Sequence, residues 1–182
     1  MGSEKYGVTT VAPHFINGVV AIKLRLYRVT EEYIAFLHGA DHRVQLNKGE
    51  RRPYVGIVLT VNENDYFVPM ESPKPNHLNI KSGIHLMRIA GGKYGLLGFN
   101  NMIPVRAEAL ISFNINDEED TYRELLRNQI TWCNDHREEI LTHAEKTYKT
   151  VIGGKSVFHL KICCDFQELE KAAKRYDPKN KK

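Results

Sequence analysis

YVGIVLTVNENDYFVPM, residues 54–70, decides the fold. Tyr54 to Val61 is an eight-residue run rich in Val and Ile, the composition of a pleated, half-buried strand. N-E-N-D follows, a run of turn formers, and then a second apolar run. Two such runs around a short turn predict an antiparallel hairpin.

Working outward, LRLYRV (24–29) reads as a further strand. Thr30 can cap a helix behind it, with Glu31 and Glu32 in the electropositive first turn. Ile34 and Leu37 face inward, and Gly39 is the expected stop. The charged, Gly- and Pro-bearing segment 40–53 is a loop. HLMRIA, Gly91-Gly92 and KYGLLGF predict a second hairpin, and RAEALISF (106–113) a further strand. From about residue 118 the period changes. Tyr122, Leu125, Leu126, Gln129, Ile130 and Cys133 fall at helical spacing, and Ile140, Leu141, Tyr148 and Ile152 continue it to Gly153-Gly154. That is either one long helix or two with a break near Asn134-Asp135. SVFHLKI (156–162) is expected to return as a strand. Asp165 and Glu168 form a capping pattern for a last helix with Phe166, Leu169, Ala173 and Tyr176. Consecutive antiparallel strands followed by helices define an α+β fold.

The chain has 182 residues and a formal net charge of +4, enough for one domain with a real core. No apolar run approaches the roughly 18 residues of a membrane span. Residues 1–23 read as an N-terminal extension and not as a signal peptide, and the basic residues of 177–182 as a fraying tail. Cys133, Cys163 and Cys164 are odd in number and two are adjacent, which fits structural thiols in a reducing cytoplasm. Charge is unevenly spread. Residues 43–93 hold eight Lys/Arg and four Asp/Glu, 117–139 three and eight, and 140–182 ten and five. A basic middle and a basic tail suit a polyanion, although a solvated surface gives the same counts.

Several motifs lead nowhere. GGKS (153–156) lacks the earlier glycine of a phosphate loop and follows a helix. His38 and His42 straddle the helix-breaking Gly39, so they do not align as metal ligands. No acidic cluster marks a Mg²⁺ site, and no cofactor is implied.

ESPKPNH (71–77) is different. Metal-free RNA cleavage requires an aligned ribose 2′-OH, neutralisation of a crowded phosphorane, and movement of two protons. Lys74 supplies charge, Ser72 a hydroxyl, and Glu71 or His77 a proton acceptor. Pro73 and Pro75 stiffen the loop. A wet, Pro-rich surface connection has the same composition. Aromatic residues stand beside cations at Tyr27-Arg28, Tyr33, Arg51-Arg52-Pro53-Tyr54 and Lys93-Tyr94, the pairing that holds single-stranded RNA. Lys81 adds a further cation, and the tyrosines are equally at home half-buried in strands.

Together, LYRVTEEYIAFL, RPYVGIVL, YFVPMESPKPNH, LGFNNMIPV and the YRELL helix resemble the ToxN/AbiQ toxins of bacterial type III toxin–antitoxin systems, from about Leu24 to Tyr176. The resemblance implies a Kid/MazF-like, SH3-like barrel: a bent antiparallel sheet extended by a helical hairpin and a C-terminal helix. It implies a sequence-specific, metal-independent endoribonuclease that cuts A-rich sites and leaves 2′,3′-cyclic phosphates. Such toxins process their own repetitive antitoxin RNA and are inhibited by the resulting pseudoknot in closed RNA–protein assemblies. Many act in phage defence by abortive infection. The family's S-P-K loop falls on Ser72, Pro73 and Lys74, its early tyrosine on Tyr33, and a basic residue before the G-I-V strand on Arg52. Glu71 departs from the Thr or Ser of relatives. Two competing readings stand: a non-catalytic RNA-binding regulator on the same fold, and a hydrolase using Ser72 with His77.

Overall fold

The computed structural model describes residues 23–179, together with the backbone of 14–16 and 19–21. Those two short segments, β1 (His14–Ile16) and β2 (Val19–Ala21), pair with each other. The rest of the segment expected as an N-terminal extension lies outside the described residues, apart from Lys23.

The hairpin that the sequence predicts is the centre of the molecule. Strand β4 (Tyr54–Val61) turns at Asn62 and Glu63 into β5 (Asn64–Glu71). Both turn residues have positive φ, 50° and 63°, which matches a two-residue turn to the strand twist. The Asn64 side chain donates to the carbonyls of Val61 and Asn62 and braces the turn. The ladder shifts register between Val55 and Leu59, a bulge that bends β4. Gly56 sits at that bend because nothing larger fits. A Cβ there would lie 2.1 Å from the Phe67 ring.

β5 is the hub. Beyond β4 it pairs with β8 (Ile103–Pro104) at Tyr66 and Phe67, and with β7 (Leu96–Gly98) at Met70 and Glu71. Pro69 lacks an N–H to donate, and it falls where that neighbour changes. β6 (Leu86–Arg88) lies outside β7, as the second predicted hairpin requires. On the other side β3 (Arg25–Val29) pairs with β4, and β9 (Leu110–Ile111) closes that edge. The expected strand over 106–113 is thus only two residues long. Residues 107–109 form a turn that presents the Ala109 carbonyl to the Thr30 N–H, and Ala and Glu there are poor strand formers.

Helix α1 (Glu31–Ala40) is capped by Thr30, whose hydroxyl accepts from the Tyr33 N–H. It runs one residue past the expected stop, because Gly39 stays helical and the Asp41 N–H closes the last turn on Leu37. The long helical pattern is two helices, α2 (Asp120–Asp135) and α3 (Arg137–Ile152), broken at His136. The expected helical hairpin does not form as a closed pair. α2 packs on the 89–92 turn, and α3 on β4 and on α5 (Phe166–Arg175). The expected strand 156–162 is instead helix α4 (Val157–Ile162), with the Ser156 hydroxyl accepting from the His159 N–H. Periodicity over so short an apolar run does not separate the two states. Half of the capping pattern before α5 forms: Asp165 accepts from the Glu168 N–H at 3.1 Å, while the Asp165 N–H donates to Asp41 and the Glu168 carboxylate turns to Lys171 and Arg175.

The core lies between the hairpin and the helices. Tyr66, Phe67, Phe99, Phe166, Ile34 and Leu37 are fully buried, each worth roughly 1.5–3 kcal/mol if apolar throughout. Inside it the Glu170 carboxylate accepts from the hydroxyls of Tyr66 and Tyr148, both at 2.8 Å, which ties α5 to β5 and α3. Among the described residues no helix is long and apolar enough to cross a membrane.

Candidate nucleic-acid interface

Strand pairing builds the site. The Met70 N–H donates to the Pro53 carbonyl at 3.0 Å, continuing the β4–β5 ladder one step past Tyr54 and Pro69. Arg51 and Arg52, just before β4, and Glu71 and Ser72, at the end of β5, therefore lie close to that last pairing and line one groove. Two segments twenty residues apart thereby share one end of the sheet.

An open groove of about 1130 Å³ lies at that end. Glu71, Ser72 and Lys74 line it together with Arg51 and Arg52. Arg28 and Glu118 complete it, paired at 2.5 Å, with the Arg28 guanidinium 4.3 Å above the Phe113 ring. The loop 41–53 is held by Asn47, which is buried. Its amide donates to the Val29 carbonyl at 3.1 Å and accepts from the Arg52 N–H at 2.8 Å. The Arg52 guanidinium also donates to the Gln45 side chain.

The Ser72–Pro73–Lys74 loop is exposed, and among the described residues the Ser72 hydroxyl has no protein hydrogen-bond partner. Its floor is rigid. The loop rests on Gly95, where a Cβ would lie 1.9 Å from the Glu71 carbonyl oxygen and 3.2 Å from the Pro73 nitrogen. Past Lys74 the chain enters a short helical turn (Pro75–Leu78), closed by His77 N–H to Lys74 carbonyl at 2.9 Å and held at its end by Arg88 on the Leu78 carbonyl.

Glu71 lies between Lys74 and His77. Its carboxylate lies 3.0 Å from the Lys74 ammonium and 3.9 Å from His77 Nε2. The Lys74 pair is well exposed, so it contributes at most about 1 kcal/mol to stability. Its effect is to fix where the ammonium sits.

Other residues stand elsewhere. His77 is 2% exposed and reaches the groove only through Glu71, so it does not touch a bound strand directly. Tyr33 is 0% exposed, its hydroxyl donating to the Pro104 carbonyl at 2.8 Å. Tyr54 is 2% exposed. Burial pushes both phenols well above the ordinary tyrosine range. Neither ring is available to stack on a base: they are core residues. Tyr27 packs edge-on against Phe67, with ring centroids 5.1 Å apart. Lys81 is exposed but does not line the groove, and Lys93 lies over the Tyr94 ring at 5.2 Å beside a neighbouring hollow.

Arg28 and Arg51, read in the sequence as cations beside tyrosines, both line the groove, and Asn47 and Glu118 line it without having been singled out by any motif. For Arg28 the signal was there. In a strand, neighbours alternate faces, so a core-facing Tyr27 leaves Arg28 on the open side. Among the described residues no group of three or more His, Cys, Asp or Glu side chains is placed to hold a metal ion.

A groove with an exposed hydroxyl, a tethered ammonium and three arginines, open along its length, suits a phosphodiester strand. The ToxN toxin family of type III toxin–antitoxin systems matches residues 25–174, and the chain belongs to that family. It is 32% identical over 162 residues to the endoribonuclease ToxN of Bacillus thuringiensis subsp. kurstaki, covering 84% of each chain. Two solved structures superpose on it with TM-scores of 0.76. One, 28% identical, comes from a bacterial type III system described as showing selective toxin inhibition by a non-coding RNA pseudoknot; 88% of this chain and 100% of that one are covered. The other, 30% identical over 84% and 96% of the two chains, is AbiQ, a lactococcal anti-phage endoribonuclease.

Proposed function

We propose that this chain is the endoribonuclease toxin of a type III system, with residues 24–176 as the active unit. The observation that carries the reading is the convergence of Ser72, Lys74 and Arg52 in one groove. The ribose 2′-OH gives its proton to the Glu71 carboxylate as its oxygen bonds to the adjacent 3′-phosphorus, and the bond to the 5′-oxygen of the next nucleotide breaks, that oxygen leaving with the proton returned by the Glu71 carboxyl. The products are a 2′,3′-cyclic phosphate and a 5′-hydroxyl. Lys74 neutralises the phosphorane charge, and Ser72 donates to a non-bridging oxygen. Glu71 holds Lys74 in place and supplies the proton acceptor on the same loop. Arg28, Arg51 and Arg52 hold flanking phosphates. The chemistry is metal-independent, since each of these tasks falls to a side chain in the groove.

The RNA partners follow from the same groove. The toxin cuts its own repetitive antitoxin transcript, and the resulting pseudoknot fills the groove and inhibits it in a closed RNA–protein assembly. Release of the toxin in the cytoplasm on phage infection arrests the host. The finer architecture is a Kid/MazF-like, SH3-like barrel, a reading supported by the bulge that bends β4.

Incubation of the purified protein with A-rich RNA in EDTA tests the chemistry. Cleavage to cyclic-phosphate ends, lost in Ser72→Ala, is expected. Cleavage that requires added metal, or that persists undiminished in Ser72→Ala, removes this mechanism. Steep salt-dependent binding with the RNA left intact supports the regulator reading instead.

A further inference from the structure

Beside the groove, and sharing Tyr122 and Glu119 with it, lies a second hollow of about 470 Å³. It falls between the 89–95 turn and the first half of α2. Tyr94, Tyr122 and Leu125 give it an apolar lining, Lys93 stands at its edge, and Glu119 and Glu124 carry the nearest carboxylates. Its volume is within the roughly 300–1,000 Å³ of small-molecule sites.

The hollow is firmly placed relative to the cleavage loop. The Gln129 amide donates to the Tyr94 carbonyl at 2.6 Å, and the Tyr94 N–H donates to the Ile89 carbonyl at 3.2 Å. The next residue, Gly95, is the one on which the Glu71 and Pro73 backbone rests. Tyr94 is therefore set one residue from the floor of the Ser72 loop, and it is only partly buried.

Charge selects the occupant. Two carboxylates against one ammonium turn a phosphate away. A neutral aromatic ring meets two tyrosines and a leucine and loses nothing to the carboxylates, which accept hydrogen bonds from any donor on its edge. We propose that this hollow takes one unstacked nucleobase of the RNA strand whose backbone lies in the adjoining groove. The inference rests on the groove being the RNA cleavage site. It adds a subsite that reads one base beside the scissile phosphate, with Tyr94 and Tyr122 as stacking surfaces.

The test uses the full-length protein and RNA oligonucleotides made abasic at one position at a time, within three nucleotides on either side of the cut. One abasic position is expected to raise KM by roughly 5–150-fold, the range for loss of one base stack. Tyr94→Leu raises KM on intact RNA by a similar factor and becomes indifferent to that abasic position. Tyr94→Phe restores the parent behaviour. Asn128→Trp, which fills the hollow from its rim, reproduces the loss and serves if Tyr94→Leu does not fold. Abasic and mutant effects that multiply at every position, with cleavage intact, overturn the base subsite and leave the endoribonuclease reading standing. A parent protein that cleaves no RNA removes that reading first and the subsite with it.

Discussion

The Glu71 carboxylate lies 3.0 Å from the Lys74 ammonium, three residues along the loop that carries Ser72. An acid beside the charge that must meet a phosphate works against binding and for positioning. Glu71→Gln is expected to tighten RNA binding slightly and to lower kcat at least about 100-fold, because the ammonium is no longer held by a carboxylate and the proton acceptor is lost. Lys74→Ala removes the charge itself and should cost about 100–1000-fold in kcat, the scale for losing one transition-state partner. Single-turnover cleavage with a parallel binding titration separates the two. A Glu71→Gln protein with unchanged kcat would falsify the positioning role.

Gly95 gives a sharper structural test. Its φ is +99°, and a Cβ would meet the Glu71 carbonyl at 1.9 Å. Gly91, four residues earlier, also has positive φ, +67°, but a Cβ there meets nothing within 4 Å. Gly91→Ala should therefore cost about 1 kcal/mol of backbone strain and leave cleavage alone. Gly95→Ala must move the Glu71–Pro73 backbone and should cost about 3 kcal/mol or more, with activity falling further than stability. Urea unfolding and cleavage rates on both proteins check this.

The hairpin and both caps were legible in the sequence because each rests on neighbours within a few residues: Asn62-Glu63 for the turn, Asp165 for the cap. The helix break was one of two alternatives, which the structure decides at His136. The groove was half legible. Ser72 and Lys74 are adjacent to prolines that mark a special loop, and Arg28 and Arg51 stand in aromatic–cation pairs, but Asn47 joins the groove only through burial and its hydrogen bonds to Val29 and Arg52. Tyr33 and Tyr54 fail as RNA contacts for the same reason. An aromatic residue beside a cation reads alike whether its ring faces solvent or core, and only the packing of α1 on α5 and of β4 on β5 settles that. SVFHLKI was misread because apolar residues leave a six-residue element undetermined until Ser156 is seen capping it.

The buried thiols make stability fall in alkali. Burial pushes Cys133 up to about 12 and Cys163 up to about 11, from an ordinary value near 9. In the unfolded chain both lose their protons near their ordinary values, whereas the folded protein keeps them. The unfolded state then binds fewer protons, so their contribution is whole below about pH 9 and is lost as pH rises toward 11–12. Urea midpoints should be flat from pH 7 to 8.5 and fall steadily above pH 9, and Cys133→Ala should shallow that fall. In native protein at pH 7.5 the thiols should resist alkylation.

Arg28 is the groove cation that most cleanly separates surface from core. It is partly exposed, held by Glu118 at 2.5 Å, and lines the same groove as Lys74. If it contacts a phosphate, Arg28→Ala weakens RNA binding for every sequence alike and lowers the slope of log K against log salt by about 1. Tyr33→Phe is the matched contrast. It deletes the buried hydroxyl that donates to the Pro104 carbonyl, so it should cost about 1 kcal/mol of stability and leave both the affinity and the salt slope where they were. Binding isotherms at four salt concentrations, on a catalytically silent Ser72→Ala background, give both numbers. A Tyr33→Phe protein that binds RNA many-fold more weakly at unchanged stability would return that tyrosine to the interface.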